Sequence, residues 1–270
     1  YGDKIRYFSK QNGGVASALN LAISNAEGAC ISWLSHDDVY MPNKLAVQFE
    51  YLRDKTGPVI LYSDYEIIDC ESRSLGTRRL EHVEPDEFLY TLFTSYYTNG
   101  CTMLIPRHCF EVVGFFNEDL RTIQDYEMWF RLSKQYRFEH IPEVLIKSRR
   151  HPKQGTRIMS AANVAESNAL FIWALNEFPI SDIFSISRET LSSKSTRFLN
   201  IASVCYFNLA IYLHFRGLRA VSKHAQKLAL QSLTGTDILT RLYGYLSFLY
   251  CRAWFARLAL WRRRHQSTAD

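Results

Sequence analysis

At 270 residues, 47% hydrophobic and 14% aromatic, the chain can bury a full core, which excludes a disordered or fibrous protein and fits one large domain plus an appendage. The formal net charge of +5 is mild, and its excess gathers in Arg149-Arg150 and Arg262-Arg263-Arg264; this excludes a nucleic-acid track and favours an anionic substrate or a membrane surface. Six cysteines without a C-x-x-C pair exclude a zinc module and a disulfide framework, and suit the reduced thiols of a cytosolic protein.

In chain order, residues 4–9 read as a strand, and Gly13-Gly14 breaks the chain before a helix over 15–26 that Gly28 ends. The near-continuous apolarity of 29–34 predicts a second strand, buried on both faces. Residues 42–53 return to helical spacing and 58–62 to strand. This βαβαβ rhythm predicts an α/β sheet with helices on its faces, whose ligands gather at the carboxyl ends of the strands. Segments 65–69 and 75–80, split by polar 70–74, read as a hairpin leaving the sheet. A short helix over 85–93, a buried strand over 99–106 and a short helix over 107–113 closed by Gly114 follow. Asp125 begins a helix running to Tyr136, and 143–147 is strand-like.

The most informative feature of this region is the doublet Asp37-Asp38 at the end of the second predicted strand. Adjacent carboxylates there repel unless solvent or a cation screens them, so the pair is either a site for a hard divalent ion or a solvated acidic turn capping the next helix. Asp125 is likewise open between an acid-base role and an ordinary cap at a helix start. Asn12-Gly13-Gly14 is either a plain turn or a place where backbone amides approach a phosphate. Arg149-Arg150-His151 reads as a solvated basic turn or as a phosphate clamp with a metal-ligating imidazole.

Four ordered strings bear on these alternatives by resemblance: QNGGVASALN at 11–20, WLSHDDVY at 33–40, VGFFNE at 113–118 and QDYEMWFRL at 124–132. Together they resemble the family 2 glycosyltransferases of the GT-A fold. The resemblance covers residues 1 to about 155 and implies a GT-A-type mixed sheet flanked by helices. It also implies a nucleotide-diphosphate sugar donor, a saccharide or lipid-linked acceptor, Mg2+ or Mn2+, and an inverting transfer. On this reading Asp37, Asp38 and His151 hold the metal, and Asp125 is the base. Asn12, Gly13, Gly14, Asn20 and Arg150 line the donor pocket. Ser35 stands where the family carries its first acid of the strand-end motif, and Gln124 where a Glu often precedes the base. Those two departures, and a catalytic domain expected to lack its opening strands, motivate the alternative of a non-catalytic remnant or carbohydrate-binding scaffold.

From about Ile158 the pattern turns helical, predicting a domain over 1–157 and a helical carboxyl-terminal region over 158–270. Helices are expected over 161–178, 197–215 and 218–233, with a polar linker at 181–193. A last apolar helix over 241–264 is interrupted by Arg252 and Arg257, about 140 degrees apart on a helical wheel. It is therefore expected to pack on its neighbours or to lie on a membrane, rather than to span one. The chain opens on Tyr1 rather than Met and is expected to be a fragment, so its lack of a secretory leader carries little weight; the reduced thiols and the basic carboxyl terminus lead to the expectation of a cytoplasmic protein with peripheral contact to the inner membrane face.

Overall fold

The computed structural model describes residues 4–80, 83–94, 98–152, 154, 158–185 and 201–233. In chain order the elements are α1 (Gly14–Ser24), β1 (Cys30–Ile31), β2 (Val39–Tyr40), α2 (Lys44–Arg53), β3 (Val59–Ile68), β4 (Ser74–Arg78), α3 (Phe88–Thr94), β5 (Ile105–Pro106), α4 (His108–Val113), α5 (Gln124–Ser133), β6 (Arg137–Arg149), α6 (Ser160–Glu177), α7 (Ile180–Ile183), α8 (Ile201–Phe215) and α9 (Arg219–Ser232). The chain divides into two compact units, Tyr1–Ser167 and Asn168–Asp270.

The first unit is built on β3 and β6. They pair in parallel from Val59↔Arg137 to Ile68↔Arg149, with β2 antiparallel on the outer side of β6 and β4 antiparallel on the outer side of β3. This is a mixed α/β sheet, as expected. The expected strand at 143–147 is the second half of a 13-residue strand. Its first half escapes detection because Pro142 and polar Glu139 and His140 break the alternation. The ladder absorbs the proline: the register moves from Ser63↔Ile141 to Asp64↔Val144, so Pro142 falls in a bulge where its missing N–H costs no bond. The hairpin over 65–80 forms but does not leave the sheet, because β3 runs straight through it and pairs with β4. Its turn is held by Asp69, whose Oδ1 accepts the Glu71 and Arg73 amides at 2.8 and 2.9 Å.

Three expectations shrink: the strand over 99–106 is strand only at Ile105–Pro106, after a 3-10 turn at Gly100–Thr102. The strand over 29–34 pairs only at Cys30-Ile31, with β5, in a separate two-stranded antiparallel sheet. Residues 4–9 form no strand; Ile5, Tyr7 and Phe8 are exposed. Their apolar character alone does not make a ladder, which needs a neighbour to receive its N–H groups.

Val59, Leu61, Leu104, Ile141 and Leu145 form a core cluster, against which Val47, Tyr51 and Leu52 of α2's stretch pack. An aromatic cluster holds α3 and α5 to β6: Phe88 stacks on Phe138 at 3.8 Å, Trp129 meets Phe138 edge-on at 6.3 Å, and Phe93 lies 5.1 Å from Phe130. Asp64, in the middle of β3, is buried; its Oδ1 lies 2.8 Å from His140 Nε2 and accepts the Leu80 amide at 2.8 Å. In the second unit α8 and α9 meet through Phe207, Ile211, Ala229 and Leu233. Gly217, at φ +81°, makes the turn between them. None of the helices among the described residues is long and apolar enough to cross a membrane. The expected helix over 241–264 lies outside the described residues, as does most of the expected linker.

Candidate active site

The doublet is placed by what surrounds it. Residues 32–38 leave β1 and turn back into β2, and this turn is fastened from within by buried polar groups. Lys44 is 1% exposed; its ammonium donates to Ser32 Oγ at 2.8 Å and Gln48 Oε1 at 2.7 Å, and lies 4.5 Å above the Tyr40 ring. Gln48 passes the chain of bonds on to the Thr102 carbonyl at 2.8 Å. The Tyr40 hydroxyl donates to the Trp33 carbonyl at 2.7 Å. Burial pushes the Lys44 ammonium down to about 8 and the Tyr40 hydroxyl up to about 12. On the other side, the Ser35 amide donates to Cys101 Sγ at 3.3 Å, and burial raises that thiol to about 11.

Asp37 and Asp38 point to different partners. Asp37 Oδ2 lies 2.9 Å from His151 Nε2. Asp38 Oδ1 accepts the Arg149 amide at 2.8 Å, and its carboxyl also bonds the Cys101 thiol and the Ser148 hydroxyl. Burial raises the Asp38 carboxyl, helped by the neighbouring Asp37 charge and opposed by those bonds to Arg149 and Ser148. The expected three-ligand set therefore does not form one cluster: among the described residues no group of three or more His, Cys, Asp and Glu side chains is arranged to hold a metal. Asp37 and His151 do converge. Their separation of 2.9 Å is that of a hydrogen bond; to share one cation the imidazole would have to give up that proton and turn its nitrogen lone pair to the ion.

The two arginines are also told apart. Arg149 is consumed by the backbone: its guanidinium donates to the carbonyls of Asp37 at 2.9 Å, Asp69 at 2.7 Å and Cys70 at 3.2 Å, and to Ser72 Oγ at 3.0 Å. It clamps the doublet to the β3–β4 turn. Arg150 is exposed, and its amide donates to the Ile68 carbonyl at 2.8 Å.

Of the expected donor-pocket residues, Asn12, Gly13 and Gly14 sit at the start of α1. Asn12 Oδ1 accepts the Gly14 amide at 3.0 Å, and Gly14 has φ +87°, a conformation that disfavours any side chain. A Cβ on Gly13 would come within 2.7 Å of Ser17 Oγ. Asn20 is placed elsewhere, with both ends of its amide taken: Oδ1 accepts the Phe116 amide, and Nδ2 donates to the Phe116 carbonyl and Glu118 Oε1, each at 2.9 Å. It ties α1 to the loop before α5.

Asp125 is in the first turn of α5, whose inward side buries Met128, Trp129 and Leu132. Its Oδ1 accepts the Tyr126 amide at 2.9 Å. Burial pushes its carboxyl up to about 6, against the pull of that amide. Trp33, just ahead of the doublet, stacks on Trp129 at 5.8 Å and 14°, so the segment carrying Asp37 and the helix carrying Asp125 pack on each other. The opposite edge of Trp33 meets Gly100, where a Cβ would come within 2.4 Å of the ring. Lys44, Cys101 and Arg149 as a clamp carry no signature in sequence: only the fold brings residues 32–48, 101–103 and 149 together.

Residues 1–122 match the family model described as glycosyl transferase family 2; the match ends just short of Asp125. An uncharacterized glycosyltransferase of Rickettsia conorii is 41% identical over 181 residues, covering 66% of this chain and 30% of the relative. An uncharacterized glycosyltransferase of Rickettsia prowazekii is 46% identical over 164 residues, covering 58% of this chain and 50% of the relative. The chain thus spans half or less of these two curated relatives. The crystal structure of S. aureus TarS in complex with UDP is similar at a TM-score of 0.47 and 14% identity, over 82% of this chain and 69% of that one.

Proposed function

We propose, from the match of residues 1–122 to the glycosyl transferase family 2 model, that the protein is a glycosyltransferase of that family and moves a sugar, with inversion, from a nucleoside-diphosphate donor to an acceptor hydroxyl. The observation that carries the reading is the Trp33–Trp129 stack, which packs the segment carrying Asp37 against the helix carrying Asp125. Asp37 is paired with His151 at 2.9 Å, whereas Asp125 is held in its helix with its carboxyl raised to about 6. The first arrangement suits a cation, the second a proton.

In the reaction, Asp125 accepts the proton of the acceptor hydroxyl as that oxygen forms its bond to the anomeric carbon. The bond from that carbon to the diphosphate breaks, and its electron pair leaves with the nucleoside diphosphate. A carboxyl raised toward neutrality is a stronger base than an ordinary aspartate while still ionised at pH 7. Asp37 and His151 would hold Mg2+ or Mn2+, which neutralises the departing diphosphate as a Lewis acid. Asp38 braces the site through the Arg149 amide instead of ligating. We place the donor phosphates at the start of α1, where Gly13 and Gly14 keep side chains out of the way, and within reach of the exposed Arg150 guanidinium. The acceptor is a saccharide or a lipid-linked saccharide, in cell-surface polysaccharide or glycan assembly. We place the protein in the cytoplasm, with the basic carboxyl-terminal segment against the membrane.

The test is nucleoside-diphosphate release from a panel of sugar nucleotides, with and without Mn2+. Release that requires the metal and falls roughly 10²–10⁴-fold in Asp125→Asn is the expected result. Release that survives Asp125→Asn removes the base. No release from any donor favours a carbohydrate-binding scaffold.

A further inference from the structure

The turn that feeds into Asp125 is not held by its own helix. Residues 117–123 form a loop, and α5 begins after Ile123 without a side-chain cap. The free amides ahead of the helix find their acceptor on α6. Glu166 Oε1 accepts the Arg121 amide at 2.9 Å, and Oε2 accepts the Thr122 amide at 2.9 Å and the Thr122 hydroxyl at 2.8 Å. The Ile123 amide also bonds the same carboxylate. One side chain thus satisfies three consecutive backbone donors and a hydroxyl, in the manner of an anion seated in a concave run of amides.

We infer that Glu166 is a positioning residue for the transfer reaction, a latch from a distant part of the sequence that fixes where Asp125 stands. Two further facts support it. Burial alone would raise the Glu166 carboxyl, yet the four donors outweigh it and hold the group below the usual carboxylate range, so it serves as a charged acceptor. Its negative charge also sits before the first turn of α5, where the helix dipole favours an anion. Asn20 holds the other end of the same loop through Phe116 and Glu118, so the loop is pinned at both ends and the segment between them can present Asp125 in one place. Misplacing a reacting group by about 1 Å can cost on the order of 100-fold in rate, which is why a group that makes no contact with substrate would still matter.

This inference rests on Asp125 acting as the base, and the experiment separates the two ideas. Glu166→Gln, Glu166→Ala and Thr122→Val are made in the full chain. Thr122→Val removes one hydroxyl donor from a near-isosteric side chain and keeps the fold safe. Three quantities are read: kcat and KM for nucleoside-diphosphate release, backbone hydrogen exchange over 119–126 with β3 as the folded control, and the Asp125 carboxyl titration by carbon NMR. The latch predicts kcat losses of roughly 10-fold for Gln and 100-fold for Ala, a KM for the donor within about twofold, faster exchange at 121–123, and an Asp125 titration that moves down as the carboxyl becomes solvated. Thr122→Val shifts each readout in the same direction by less. Unchanged exchange at 121–123, or an unchanged kcat and an unmoved Asp125 titration in both Glu166 variants, overturns it. Should the native chain release no nucleoside diphosphate, the reading of the reaction fails, while exchange and titration still decide whether Glu166 places Asp125.

Discussion

The acidic turn at 33–38 and the start of α5 face one another across the Trp33–Trp129 stack, yet they are built on opposite plans. The turn is braced from beneath by a buried cation, a tyrosine hydroxyl and a thiol, and from the side by the Arg149 clamp. Its backbone and most of its side chains have partners. Asp125 has burial and the Tyr126 amide of its own helix. On the proposed function, this difference is what would let the two carboxylates do two different jobs. The Asp37 carboxylate is paired with the His151 imidazole, while burial pushes the Asp125 carboxyl toward holding a proton.

The largest expected stability effect removes the brace. Lys44→Met keeps the volume of the side chain but leaves Ser32 Oγ and Gln48 Oε1 in the interior without their charged donor. A loss of about 3 kcal/mol in urea unfolding is expected, in the range for breaking a buried polar network. If the turn is braced as described, the same variant also weakens Mn2+ binding, because Asp37 loses its fixed place. A loss of stability with unaltered metal affinity would show that the clamp from Arg149 suffices. A smaller effect is expected at the rim. His151→Ala leaves the interior intact and is expected to raise the Mn2+ concentration for half-maximal release about 10–100-fold, read from a metal titration. An unchanged requirement would leave Asp37 to hold the ion with groups other than the imidazole.

The sequence shows these two regions unequally. The turn is legible in WLSHDDVY, because an apolar run ending in paired acids is a local pattern, and α5 is legible in its buried face. What braces them is not, since each brace is a contact between residues far apart in the chain: Lys44 with Ser32 and Met103, Arg149 with Asp37 and Asp69, Glu166 with Thr122. The sheet follows the same rule. The part of β6 after Pro142 reads as strand, whereas the part before it becomes strand because β3 runs alongside and a bulge accommodates the proline. The expectation of a strand over 4–9 errs the other way, crediting apolar residues with a pairing that a neighbouring strand must supply. The three expected metal ligands are not gathered into one cluster among the described residues. Spacing cannot tell that Asp38 turns toward the Arg149 amide while Asp37 turns toward His151.

The smallest effect is the most specific to this contrast, because it changes stability in the direction opposite to activity. Asp125 has its carboxyl raised to about 6 from an ordinary value of 3.8, so in the folded protein it binds its proton more tightly than in the unfolded chain. Between these two values the folded state holds more protons than the unfolded one, and stability therefore falls as pH rises through that window. Above pH 6 the whole cost of an ionised, poorly solvated carboxylate is present; the full shift corresponds to about 3 kcal/mol, and the partial exposure of the side chain reduces this to about 1–2 kcal/mol. Asp125→Asn retains an oxygen to accept the Tyr126 amide and carries no charge. It is expected to unfold at higher urea than the native chain at pH 7, by about 1–2 kcal/mol, and to lose that advantage at pH 4, while nucleoside-diphosphate release at pH 7 falls roughly 10²–10⁴-fold. An Asn variant equal to or weaker than the native chain at pH 7 would mean that Asp125 is stabilised as an anion by groups around it, which would make it a structural acid and not a base.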